Sequence, residues 1–295
     1  MNIEDLQKEI DKIMNEQNDR GIPDFEGYSP NEMTQILYST FEKDSKIILQ
    51  ELTDEEYNKI PILNQIKYLM NLISESGELK LTATGALPPK VVSELYNQGF
   101  LVERTFEAGI SKLTKEIDSI TVSLTRILTE LSGIAKKRAG KLSLTKKGEK
   151  LLKDNSKLLE LIFKTFTTKF SWAYYDYFKN NQIGQFGFGF SLILISKYGN
   201  KRQDVNYFAE KYLIAFPNLV EDKLDEYFES FESQSYYCYS VRTFNRFLDY
   251  FSLISIDKSE KDIFGPTYIK KTELFDKLIK IVPPAGQYKG NKTIN

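Results

Sequence analysis

A mainly α-helical fold with small β-hairpins is predicted by three observations on the sequence. Apolar residues recur at helical spacing in one segment after another. Strand-like alternation is confined to runs of a few residues, and glycine or proline punctuates most of the boundaries. At 295 residues the chain is longer than a typical single domain. Composition divides it into an acidic N-terminal helical region at 1–60, a unit at 61–157 and an aromatic-rich helical region at 158–295.

The opening helix carries Ile3, Leu6, Ile10 and Ile13 on one face, a stripe that requires a partner. A turn through Pro23 and Gly27 follows. Ser29 then stands as an N-cap with Pro30 in the first helical position and Glu32 completing a capping box, and Thr53 with Glu56 repeats that spacing. Ile62, Ile66, Leu69 and Ile73 predict a helix that stops at Gly77. The run ELKLTATG alternates as a strand, and Pro88 and Pro89 open a helix with Val91, Val92 and Leu95 inward that halts at Gly99.

The central stretch is 120–154. Ile120, Leu124, Ile127, Leu128 and Leu131 form one helical face and Gly133 supplies a left-handed C-cap. Segments 134–138 and 141–145 are two short strands joined by Ala139 and Gly140. Leu144, Leu151 and Leu152 then return the chain to a helix. In this segment Lys136, Lys137, Arg138, Lys141, Lys146, Lys147, Lys150, Lys153 and Lys157 outnumber Glu149 and Asp154, in a chain whose net charge is −1. Such local basicity suits phosphate, while a merely solvated lysine face is the alternative. The outward residues of the preceding helix are expected to be Val122, Thr125, Arg126 and Thr129, a thin set of base-reading groups.

The motif KLSLTKKGEKLL, with the helix, strand, helix, helix, hairpin order before it, resembles the winged helix-turn-helix superfamily. The resemblance covers about 60–157. It implies a hairpin wing near phosphate and a recognition helix at 120–131. The echo between ELKLTATG and KLSLTKKG is read as two strands that need the same turn chemistry. The N-terminal PDF, GYSP and EM segments resemble a short signature of uncharacterised bacterial proteins, which implies no activity.

Beyond residue 157, Leu159, Ile162, Phe163, Phe166 and Phe170 lead into Trp172, Tyr174, Tyr175, Tyr177 and Phe178, a density that demands burial on more than one face or, as the sharper reading, a ring-lined groove for single strands. GQFGFGF lacks the strand and the Lys-Ser or Lys-Thr end of a phosphate loop and is read as a tight bend between rings. The acidic run 221–232 is expected to be helical. Residues 236–282 resemble a second, degenerate winged helix, with Ser240 capping a helix, a hairpin at 253–269 through KSEKD and FGP, and a closing helix at 273–281. On its inner helix Arg242, Asn245 and Arg246 are expected to share an outward face, with Asp249 able to pair with Arg246. The tail from Pro283 is expected to lie loosely on the surface.

Histidine is absent and Cys238 is the lone cysteine. This removes histidine-based nucleophilic catalysis, imidazole and thiolate metal sites, and internal disulfides, and it fits a reducing cytoplasm. The N-terminus lacks the basic and apolar parts of a signal peptide, and the longest apolar run is too short for a bilayer. Asp24, Glu78 and Lys80 imitate a magnesium nuclease only poorly, because Asp24 lies in a Gly and Pro turn. No enzyme, metal or cofactor is therefore expected. The expected function is duplex DNA binding of winged-helix type with a role in transcriptional regulation, the alternative being a winged-helix scaffold without nucleic-acid binding. Candidate contacts are Arg126, Lys136, Lys137, Arg138, Lys141, Lys146, Lys147, Arg242, Asn245 and Arg246. A protein partner or a homo-oligomer would use the N-terminal or the aromatic-rich region.

Overall fold

The computed structural model describes residues 3–42, 44–220, 223–258 and 266–285. In chain order its elements are α1 (Ile3–Asn18), α2 (Pro30–Tyr38), β1 (Ile47–Leu49), α3 (Asp54–Tyr57), α4 (Pro61–Ser76), β2 (Leu79–Lys80), α5 (Pro89–Tyr96), α6 (Arg104–Glu107) and α7 (Ile120–Leu131). There follow β3 (Ala135–Arg138), β4 (Lys141–Leu144), α8 (Lys146–Leu151), α9 (Asn155–Thr168), α10 (Phe188–Tyr198), β5 (Gln203–Asp204), α11 (Val205–Ala215) and α12 (Phe231–Ser240). A π-helical segment Val241–Leu248, β6 (Ile254–Lys258), β7 (Thr267–Lys271), α13 (Glu273–Leu278) and β8 (Ile279–Ile281) complete the chain. The fold is mainly α with small antiparallel sheets, as the periodicity predicts.

The chain divides into two compact units that interrupt one another in sequence. One holds 1–50, 182–243 and 256–295, and the other holds 51–181 and 244–255. The aromatic-rich stretch beyond 157 is thus shared between them.

Local chemistry starts and stops the helices. Both capping boxes form: Ser29 N donates to Glu32 Oε2 at 2.9 Å and Thr53 N to Glu56 Oε2 at 2.8 Å. After α7, Gly133 at φ 73° allows Gly133 N to donate to Glu130 O and Ile134 N to Thr129 O, a Schellman end. The β3–β4 turn puts Ala139 and Gly140 at φ 48° and 71°, both left-handed, which is the twist that a two-residue hairpin needs.

In the unit containing 51–181, β2 and β3 flank β4 in one antiparallel sheet. Leu69, Ile73, Leu79, Val92, Val122, Ala135 and Leu142 form a buried core beneath it. A second core packs Phe163, Phe166, Trp172, Phe247 and Phe251 ring against ring. These rings are buried, so the reading of the stretch as packed core holds for them; Tyr174 and Tyr177 are exposed.

In the other unit, the N-terminal signature is a clamp. Glu26, left-handed at φ 56°, accepts from Lys197 at 2.6 Å, Lys211 at 2.8 Å and Tyr198 Oη at 2.5 Å. Tyr28 Oη donates to Val282 O at 2.8 Å, and Glu32 accepts from Lys46 and from Ala285 N. Gly187 at φ 68° leaves room for the Phe216 ring, which a Cβ would meet at 2.6 Å, so the GQFGFGF bend is built around rings as expected.

Burial pushes the Glu26 and Glu32 carboxyls up, but the lysine, tyrosine and backbone donors outweigh it and leave both below the ordinary 4.5. A carboxyl with a depressed folded pKa contributes stability above its unfolded pKa and loses it as pH falls through the folded value. This unit is therefore expected to weaken as pH drops below 4.5. Acid titration followed by circular dichroism checks it, with Glu26→Gln expected to lower stability at pH 7 and to flatten the acid limb.

Several expectations are corrected. The acidic run does not form one helix: among the described residues 223–230 make turns and bends, and α12 starts at Phe231. Asp225, Glu226, Glu229 and Glu232 would repel one another at helical spacing, and Gln234 instead holds the turn through Asp225 N and Lys223 O. ELKLTATG contributes only Leu79–Lys80 as strand, since Gly85 at φ 78° and Thr82 turn the chain. Ser240 is the last residue of α12 rather than a new cap, because the helix continues into the π segment. The closing helix stops at Leu278, and Ile279–Ile281 pairs with β1. Residues 259–265 of the expected hairpin, and the tail beyond Ala285, lie outside the described residues.

One order of elements occurs twice. Helix, strand, helix, helix, two strands and a short helix run as α4, β2, α5, α7, β3, β4, α8, with the one-turn α6 between α5 and α7, and again as α10, β5, α11, α12, β6, β7, α13, with the π segment between α12 and β6. The strand orders correspond, β2-β4-β3 and β5-β7-β6. Thr145 and Thr272 each leave the last strand to cap the closing helix. The second set thus begins at Phe188, well before residue 236.

Candidate nucleic-acid interface

The β3–β4 hairpin sorts its side chains by register. Ala135 pairs with Leu144 and Lys137 with Leu142, and Leu142 and Ala135 enter the core. Lys136 opposite Ser143 and Arg138 opposite Lys141 consequently occupy the other, outward face. Lys137 leans inward and donates to Gly85 O at 3.3 Å, and Lys141 pairs with Glu78 at 2.6 Å.

Helix α8 continues this surface. Thr145 caps it, accepting from Gly148 N at 3.1 Å, and the helix lies so close to β3 that a Cβ on Gly148 would stand 2.2 Å from Ile134 O. That packing carries the exposed Lys146, Lys147 and Lys150 beside the hairpin, with Lys147 donating to Ser132 O at 3.2 Å. Lys136, Arg138, Lys146, Lys150 and Lys153 are exposed and carry no side-chain bond among the described residues. These free cations are the chemically available part of the site.

The expected base-reading residues are elsewhere. Helix α7 is enclosed along most of its length. Val122 is in the core, and Gln65 donates to Thr125 Oγ1 at 2.7 Å and to Thr121 O at 3.1 Å, so Thr125 and Thr129 are buried rather than outward. On its opposite side Ile120 and Leu124 line a small apolar cleft with Phe166, Phe170, Trp172 and Tyr175. Arg126 is tied to Glu116 at 2.6 Å and to Glu130. Leu131, expected inward, is exposed.

Arg242, Asn245 and Arg246 do not form an outward triplet. Arg242 is fully buried and donates to Ile183 O at 3.1 Å. Arg246 donates to Trp172 O at 3.2 Å, Tyr175 O at 2.9 Å and Asp176 Oδ2 at 3.0 Å, which holds the aromatic turn in place. Asp176 is thus an ion-pair partner of Arg246. Asn245 is half-buried. The π segment turns these side chains inward along with Phe244 and Phe247, an outcome that α-helical spacing does not anticipate.

Sequence reasoning missed Glu103 and Glu116. Glu103 accepts from Ser119 Oγ, Ile120 N, Thr121 N and Thr121 Oγ1 at the start of α7. Glu116 accepts from Leu87 N at 2.6 Å and from Arg126. Nothing in their local pattern distinguishes them from solvated carboxylates. Among the described residues no group of three or more Asp, Glu or Cys is placed to hold a metal ion, and no helix is long and apolar enough to cross a membrane.

Residues 58–157 match the Y4jL N-terminal domain family. The Y4jL-like stretch begins just after α3 and ends in the first turn of α9, so it encloses α4 to α8 and the whole β2-β4-β3 sheet. It covers about a third of the chain and includes all the cations of the hairpin and α8. The N-terminal signature at 23–33 lies outside the Y4jL-like stretch. No curated protein and no solved structure matches the chain.

Proposed function

We propose that residues 58–157 form a winged helix whose β3–β4 wing and α8 contact the phosphates of duplex DNA, without base reading by α7. The observation that carries this reading is Arg138 directly opposite Lys141 on the outward face, with Lys136 beside them. Like charges opposed across a hairpin weaken it, and a phosphate ligand would turn that cost into affinity. Recognition of this kind positions a protein on DNA with little sequence preference, so any role in transcriptional regulation would draw its specificity from a second contact. A cytoplasmic location suits both this reading and the single buried Cys238.

The burial of α7 favours a second reading, in which the winged unit is a scaffold that binds no nucleic acid. One titration separates the two. Fluorescence anisotropy on mixed-sequence duplex DNA over a salt series is expected to give a steep salt dependence. The triple variant Lys136→Ala, Lys137→Ala and Arg138→Ala should then reduce the slope of log K against log salt by roughly 2 to 3, about 0.9 for each phosphate left unneutralised. Glu78→Gln, which releases Lys141 from its ion pair, is expected to tighten binding and steepen the slope by about 1. Absence of binding at low salt, or the same slope in all three proteins, would sink the wing and leave the scaffold.

A further inference from the structure

We propose that α1 forms a parallel, in-register two-helix coiled coil with α1 of a second copy of this chain. Ile3, Leu6, Ile10 and Ile13 are spaced three, four and three apart, the alternation of a and d positions in a heptad. No residue of α1 is buried, and Ile3 is 87% exposed. Leu6, Ile10, Ile13 and Met14 are exposed as well, so a continuous apolar seam faces outward.

The width of the seam identifies the occupant. A helix that packs into a domain carries apolar residues at a, d and at e or g as well; here those flanks are Gln7, Glu9 and Glu16, with Met14 the one apolar exception. A strict a/d stripe fits another helix rather than a sheet or a broad groove. Glu4, Asp5, Glu9, Asp11 and Glu16 against Lys8 and Lys12 make the helix acidic, which opposes nucleic acid and anionic lipid.

Charge also selects the orientation. In a parallel pair each Glu9 at g meets Met14 at e of the other helix, whereas an antiparallel pair brings Glu9 against Glu9. Ile3 at a with Leu6 at d is the combination that suits two strands, a preference to which the second heptad, Ile10 at a with Ile13 at d, does not add. In this arrangement identical layers of Ile3, Leu6, Ile10 and Ile13 stack along a helix of 16 residues. Two heptads make a short coiled coil, so the dimer forms by mass action at high protein concentration. It joins two copies of the hairpin in one particle, and this inference stands or falls independently of what the hairpin binds.

Sedimentation velocity on the full chain, from about 5 to about 500 µM, tests it. The expected result is a shift from the 34.2 kDa chain toward twice that mass. Raising salt from about 50 mM to about 1 M should leave the association unchanged or strengthen it, since the flanking charges repel. Leu6→Ser with Ile10→Ser should remain monomeric with an unaltered thermal transition, because α1 buries nothing in its own chain. Ile3→Cys should cross-link on oxidation through the facing a positions, with buried Cys238 silent. A single mass at every concentration, a dimer that persists in the double variant, association that weakens steeply with salt, or a dimer that Ile3→Cys fails to cross-link would overturn the proposal.

Discussion

Arg126→Ala is expected to destabilise its unit by about 3–5 kcal/mol, the cost of leaving a buried carboxylate without its partner. Glu116 is 3% exposed and its Oε1 lies 2.6 Å from Arg126 Nε, while Oε2 accepts from Leu87 N at 2.6 Å. Removing the guanidinium leaves the Glu116 carboxylate, 3% exposed, without its cation beside α7. Trp172, the lone tryptophan, is buried in the same unit and reports the loss as a lower urea midpoint in its fluorescence. Adding Glu116→Gln should restore about half of the loss, because the amide keeps an acceptor for Leu87 N and carries no charge. A base-reading Arg126 would behave otherwise, with wild-type stability and altered DNA preference. An unchanged midpoint would mean that the Arg126 to Glu116 pair does not hold α7.

Gly148→Ala should cost about 2–3 kcal/mol, at the upper end of ordinary overpacking. The added Cβ would stand 2.2 Å from Ile134 O and 3.1 Å from Ile134 C, both backbone atoms that cannot rotate away. Ile134 O also accepts from Thr145 N at 2.9 Å and Thr145 Oγ1 at 3.1 Å, so displacing α8 weakens the joint between the hairpin and the helix. In a helix interior alanine is otherwise favoured over glycine by about 1 kcal/mol, so a stabilised variant would show that α8 does not pack against β3 as described. The same fluorescence titration decides the sign.

Gly148 also shows where local pattern stops being informative. TATG and TKKG look alike, and both read as the same turn chemistry. In the first, Thr82 accepts from Ala86 N around a left-handed Gly85. In the second, Thr145 caps α8 and Gly148 is helical, its missing side chain required by a carbonyl fourteen residues earlier in sequence. A four-residue motif cannot carry that information, since the contact that selects glycine is made by tertiary packing.

The sequence by itself determined what depends on a few adjacent residues. The capping boxes of Ser29 and Thr53, the helix end at Gly133, the left-handed hairpin turn at Ala139 and Gly140, the basic character of 136–157 and the lack of histidine chemistry are all decided within a turn or two of chain. Tertiary structure alone decided which faces are used. Gln65 reaches α7 from α4 and buries Thr125, and Arg246 spends its donors on the carbonyls of Trp172 and Tyr175. Both cases have one physical cause: a polar side chain is outward only if no distant segment offers it a partner and covers it, and that depends on contacts more than fifty residues away in sequence.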